Sequence, residues 1–288
     1  MSKKDKFLAE IGEAFTFKGD SIILGAPKLD GEVLTNNFVR VPLRTLNRHG
    51  LIAGATGTGK TKTLQIIIEQ LSAKGIPSLV MDIKGDLSGV AVPGETNPKV
   101  VERNQNIGIA FEASGSPVEF LSLSNDAGLR LRATVTEFGP VLFSKILELN
   151  ETQGSVVSLL FKFCDDNQLA LLDLADVKKA LNYITNEGKE TIEGEYGAIS
   201  TASVGTILRK VIELEQQGGD IFFGERSFDV DDLTRIDENG KGIISILRVT
   251  DIQDKPKLFS TFMLQLLAEI YSTFPEEGDL EQPKLVIF

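Results

Sequence analysis

Leu51-Ile52-Ala53-Gly54-Ala55-Thr56-Gly57-Thr58-Gly59-Lys60-Thr61 is the stretch on which the fold reading turns. Its last eight residues fill every position of GxxxxGK[ST], a string specific enough to matter but short enough to arise by chance. The flanks therefore have to agree with it. Upstream, the apolar Leu51–Ala53 run predicts a buried strand leading into the loop. Downstream, Leu64, Ile67, Ile68 and Leu71 recur at helical spacing, Gly75 and Pro77 stop the helix, and Ser78-Leu79-Val80-Met81 reads as a second short buried strand. Strand, loop, helix and strand in that order predict an α/β fold. A Gly/Thr-rich surface turn before an amphipathic helix is the plainer alternative, and it leaves the agreement of motif and flanks unexplained.

Each residue type in the segment has a physical task in holding a polyphosphate. Gly57 and Gly59 lack Cβ atoms, so the backbone of Gly54, Ala55, Thr56, Gly57, Thr58 and Gly59 can curl with successive N–H groups facing inward. A helix beginning near Lys60 adds the positive end of its dipole. Lys60 is placed to reach the β- and γ-phosphates as a point charge, and the Thr61 hydroxyl to ligate Mg²⁺. The expected ligand is a nucleoside triphosphate, most simply MgATP.

The rest of the composition narrows the class. At 288 residues and 42% hydrophobic, the chain is long enough for one large or two smaller cores. Met1-Ser2-Lys3-Lys4 is followed by mixed polar residues rather than a secretory apolar stretch, and no apolar run approaches bilayer length, so no membrane role is expected. A single cysteine, Cys164, excludes an intrachain disulfide, and a single histidine, His49, excludes a Cys/His zinc cage. A reducing cytoplasm fits these counts. The formal net charge of -11 argues against a generally basic surface for nucleic acid, while leaving room for a local basic channel.

Asp82-Ile83-Lys84-Gly85-Asp86 follows the second strand and contains the Asp-x-x-Gly of GTPase switches. Asp82 lies only 22 residues past Lys60, however, and no Asn-Lys-x-Asp guanine-reading motif occurs. Nor is there a lid of clustered arginines such as a small-molecule kinase carries. The stretch from Leu46-Asn47-Arg48-His49-Gly50 through Thr61, continued by Met81 to Gly89, resembles the HerA-like helicase-type ATPases of the FtsK/HerA group. Leu149-Asn150-Glu151-Thr152-Gln153, Leu214 to Gly219, Phe222-Phe223-Gly224-Glu225 and Pro283 to Phe288 extend the resemblance along nearly the whole chain. That resemblance implies a RecA-like fold, ATP hydrolysis with Mg²⁺, often a homo-oligomeric ring of six subunits, and in some members action on double-stranded DNA. By position it makes Arg48 a candidate nucleotide-sensing or subunit-bridging arginine. It also makes Asp82, at the carboxyl end of a parallel strand, a candidate polar group near the γ-phosphate, against a helix-cap or turn role.

Hydrolysis in such enzymes needs a further strand that presents an Asp for the Mg²⁺ shell and usually a Glu for the attacking water. Pro283-Lys284-Leu285-Val286-Ile287-Phe288 has the approach to that Walker B strand, and the sequence stops where the acidic pair is expected. Gly242 to Leu247 is a poor substitute, because Arg248 follows it and Asp251 comes too late. The expectation is a fragment that binds ATP but lacks the hydrolytic carboxylates. Two alternatives stand beside a DNA motor: an ATP-dependent regulatory or assembly module acting on a protein partner, and a nucleotide-binding protein without turnover.

Turn signals and periodicity divide the chain into four parts. Residues 1–44 read as a small β segment, 45–124 as the first part of the ATPase core, 125–219 as a helical insertion, and 220–288 as the second part of the core. Within the insertion, Pro140 suits a first helical turn, Asn150 with Gln153 makes a capping box, and Asp173 caps Leu174 to Asn186. Val204, Ile207, Leu208, Val211 and Leu214 form an amphipathic stripe closed by Gly218-Gly219, and Pro256 to Phe274 predicts a helix packed on the sheet. Arg130, Arg132, Lys178, Lys179, Arg209 and Lys210 read first as a solvated face, with contacts to DNA phosphates as the sharper alternative.

Overall fold

The computed structural model describes residues 2–250, 252–276 and 278–288, so Asp251 lies outside the described residues. The chain begins with α1 (Lys3–Phe15), then β1 (Ser21–Gly25), β2 (Lys28–Leu29), β3 (Glu32–Val33) and β4 (Val39–Pro42). Next come α2 (Lys60–Ala73), β5 (Ser78–Asp82), α3 (Pro98–Ile107), β6 (Val118–Ser122) and β7 (Leu129–Arg130). A helical run follows: α4 (Val135–Ile146), α5 (Glu151–Asp166), α6 (Leu174–Thr185), α7 (Lys189–Glu195), α8 (Thr201–Leu214) and the single turn α9 (Asp220–Phe222). The chain closes with β8 (Ile244–Arg248), α10 (Pro256–Thr273) and β9 (Val286–Ile287). A parallel five-stranded sheet in the order β7-β6-β8-β5-β9 carries the fold, and helices flank it in an α/β arrangement. Among the described residues no helix is long and apolar enough to cross a membrane.

The chain divides into two compact units, one of residues 1–120, 231–247 and 276–288, the other of residues 121–230 and 248–275. In the first, α2 supplies Ile68 to a cluster with Val80, Leu87, Val90, Ile244 and Ile246, while Leu71 joins Ile22, Leu43 and Ile76 in another. One helix face thus anchors both the sheet and the amino-terminal β1–β4 pair. Gly242 lies so close to the backbone of Ile76 and Pro77 that a Cβ there would come within 2.2 Å. The Ser72 hydroxyl donates to the Gly242 carbonyl at 2.6 Å and locks that approach.

The amino-terminal β segment contains antiparallel β1–β4 and β2–β3 pairs, as its turn signals predict. It also contains α1, which the strand reading overlooks. Ser2 and Asp5 form a reciprocal capping box at its start, and Phe7, Leu8, Ile11 and Phe15 are half-buried while no residue of the helix is fully buried. A second expectation fails in a more consequential place. Leu51–Ala53 is neither a strand nor buried, and Leu51 is 89% exposed. A strand exists only where a neighbour takes its N–H and C=O groups. On the loop-helix side β5 is joined by β9, and no described ladder reaches Leu51–Ala53.

In the second unit, the predicted Asn150–Gln153 capping box and the Asp173 cap are both present. At Gly139, with φ 66°, α4 breaks, so Pro140 starts its second piece without a clash. Phe222 and Phe223 are fully buried between Phe138, Phe143 and Phe262, with ring centroids 5.0–6.1 Å apart and mostly edge-on. Such pairs add to the burial energy of each ring. Cys164 is buried on α5, and desolvation pushes its thiol up to about 11, which makes it a poor nucleophile at neutral pH.

Candidate phosphate-binding site

The Gly54–Thr61 segment is exposed up to Gly59 and enters α2 at Lys60. Gly57 and Gly59 hold φ of 80° and 95°, left-handed backbone that favours glycine. Gly54 has a different reason to be glycine, because a Cβ there would meet Thr58 Oγ1 at 2.5 Å. Thr58 Oγ1 donates to the Ala55 carbonyl at 2.8 Å and keeps the turn closed. The first backbone bond of α2 runs from Thr63 N to Gly59 O at 2.9 Å, so the N–H groups of the first helical turn have no intrahelical acceptor.

Lys60 folds back over the loop, and its Nζ donates to the carbonyls of Gly54 and Ala55, both at 2.8 Å. Neutral carbonyls are weaker partners for an ammonium than anionic oxygens. Phosphate oxygens can therefore displace them. Thr61 is the second residue of α2, so its hydroxyl stands in the first helical turn beside Lys60. The glycine conformations, free helix N–H groups, lysine and hydroxyl together fit a magnesium-bound triphosphate.

Asp82 is the last residue of β5, buried to 2%. Its Oδ1 accepts from the backbone N–H of Gly85 at 2.7 Å and Asp86 at 3.2 Å, and its Oδ2 accepts from Leu87 N at 3.1 Å. The carboxylate thus organises the 83–87 turn. Gln65 on α2 reaches the same turn, donating to the Asp86 carbonyl at 3.0 Å, a tie between loop helix and turn that periodicity alone did not reveal. The turn itself is signalled by the Asp82-x-x-Gly85 spacing, since Gly85 has φ 76°.

Arg48 is not drawn into the loop. It stands exposed, 3.9 Å from the equally exposed Asp279, a pair of little energetic weight. Of the basic residues in the helical stretch, Lys178 pairs with Glu215 at 2.6 Å, and Lys210 with Glu213 at 3.0 Å. Arg209 donates to the Thr206 hydroxyl, and Lys179 faces solvent. Arg130 ends β7, and Arg132 follows it two residues on.

A parallel α/β sheet with a glycine-rich loop opening into the helix before β5 defines the phosphate-loop class. The family model described as Helicase HerA-like C-terminal matches residues 28–288, and the chain belongs to that family. Among solved structures it is similar to VirB4 of Thermoanaerobacter pseudethanolicus, at 14% identity and a TM-score of 0.47. That match covers 90% of this chain and 65% of the VirB4 chain, so the chain spans just under two thirds of that protein's length. No curated protein matches.

Proposed function

We propose that this chain binds MgATP through Gly54 to Thr61 and that it is the nucleotide-binding part of an ATP-driven motor acting on duplex DNA. The observation that supports the binding step best is Lys60, whose ammonium rests on two neutral carbonyls above the open first turn of α2. Family membership supports the motor reading. In this reading Thr61 holds Mg²⁺, and Asp82 positions the turn beside the loop while its own oxygens stay engaged with the backbone. Arg48, being exposed, is available to a neighbouring subunit in a homo-oligomeric ring, for which six copies are proposed, and the cytoplasm is the proposed compartment. Turnover needs carboxylates for the metal shell and the attacking water, a task separate from the triphosphate binding assigned to Gly54 to Thr61.

The functional test is ATP hydrolysis by the protein with and without duplex DNA. Stimulation of several-fold or more by DNA is the expected result. Stimulation by a protein partner with no response to DNA would replace the DNA motor with an assembly module, and binding without turnover under every condition would leave a nucleotide-binding protein.

A further inference from the structure

Arg132 is an anomaly in its surroundings. Its guanidinium lies flat against Gly224, so close that a Cβ on that glycine would come within 2.3 Å of Nη2 and 2.5 Å of Cζ. Nη2 donates to the Phe223 carbonyl at 3.2 Å, while Nε is shielded from solvent without a hydrogen-bond partner. Among the described residues no carboxylate pairs with this half-buried cation. A buried donor left unmatched is costly, and a guanidinium favours an anionic acceptor.

Arg130 reinforces it. Ser227 Oγ accepts from Arg132 N and donates to the Arg130 carbonyl, both at 2.7 Å, and Leu131 N donates to the Ser122 carbonyl at 2.8 Å. These bonds keep residues 130–132 extended. Leu131 then points into the core at 1% exposure, and the alternation of an extended chain puts Arg130 and Arg132 on the opposite side. Arg130 donates to the neutral Asn125 amide oxygen. The adjacent Asp126 is already engaged by Arg248 at 3.1 Å, so it does not compensate Arg130. This stretch leaves the carboxyl end of β7, the edge of a parallel sheet where ligands bind.

We propose that Arg130 and Arg132, set by Ser227 and Gly224, form a second seat for phosphate oxyanions, supplied either by a nucleic-acid backbone or by a free polyphosphate. The seat uses none of the residues from Gly54 to Thr61 and does not depend on their reading. Two guanidiniums on one side of an extended segment suit successive or bridged phosphates, each taking a charge-assisted bond from one arginine.

The test uses the whole chain in a Lys60→Ala background, which removes the loop lysine as a competing phosphate contact. Fluorescein-labelled duplex DNA is titrated by anisotropy at two salt concentrations, and inorganic tripolyphosphate by calorimetry. Arg130→Gln, at an exposed position where folding is insensitive, is expected to weaken whichever ligand binds by about tenfold. For duplex DNA, Arg130→Gln with Arg132→Gln should also flatten the dependence of log affinity on log salt by about 2. Gly224→Ala, which displaces the guanidinium without removing charge, should mimic the loss. An effect confined to DNA assigns the seat to a nucleic-acid backbone, and one confined to tripolyphosphate assigns it to a free polyphosphate. If neither ligand binds, or if both bind Arg130→Gln and Gly224→Ala as tightly as the parent, the seat does not exist. Failure of Lys60→Ala to affect MgATP would instead indict the loop alone.

Discussion

Asp82→Ala is expected to lower the unfolding free energy by about 3 kcal/mol, because it strips the partner from three backbone N–H groups at once. The residue is buried at the end of β5, and one of the three donors belongs to Leu87, a member of the core cluster that includes Ile68 and Val80. Water cannot easily replace the carboxylate at that donor. Loss of the charge-assisted bonds should therefore loosen the 83–87 turn as well as weaken the fold, and Gln65 would lose its fixed carbonyl partner. Asp82→Asn keeps an acceptor oxygen and should cost roughly half as much. Urea denaturation of the three proteins measures this. An alanine variant within about 0.5 kcal/mol of the parent would refute the structural role assigned to Asp82.

Phe222→Ala should cost about 4 kcal/mol, a value typical of removing a large aromatic side chain from a packed core. Phe222 is wholly buried, with Phe138 at 5.8 Å, Phe223 at 5.1 Å and Phe262 at 5.9 Å between ring centroids. Phe138 and Phe262 are themselves held by α4 and α10, so little collapse into the cavity is available. Tyr271→Ala on the exposed side of α10 serves as the contrast, since Tyr271 is 89% exposed and its loss should change stability by no more than about 0.5 kcal/mol. Equal costs for the two substitutions would mean that the Phe222 cluster is not the centre of that unit.

The sequence was most legible where one local rule acts alone. The helix after the loop, the Asn150–Gln153 and Asp173 caps and the stripe from Val204 to Leu214 all follow from spacing and capping chemistry, and they appear where that chemistry puts them. Leu51–Ala53 departs from the strand expectation because apolarity describes a segment's affinity for a core and says nothing of whether a neighbouring strand is present to pair with it. α1 escapes a strand reading of residues 1–44, although Ser2 and Asp5 spell its cap. At the candidate site, the left-handed backbone of Gly57 and Gly59 follows from residue type alone. The Gln65 tie and the seating of Arg132 on Gly224 join residues distant in sequence, 21 and 92 positions apart, and no local pattern encodes such contacts.

The most direct measurement is calorimetric titration of MgATP into the parent chain and into Lys60→Ala. Substitution removes the ammonium that now rests on the Gly54 and Ala55 carbonyls, and with it the charge-assisted contact proposed for the β- and γ-phosphates. A loss of affinity of about a hundredfold, with the melting curve unchanged, is the predicted result. Equal affinity in the two proteins would contradict the assignment of Gly54 to Thr61 as the nucleotide site.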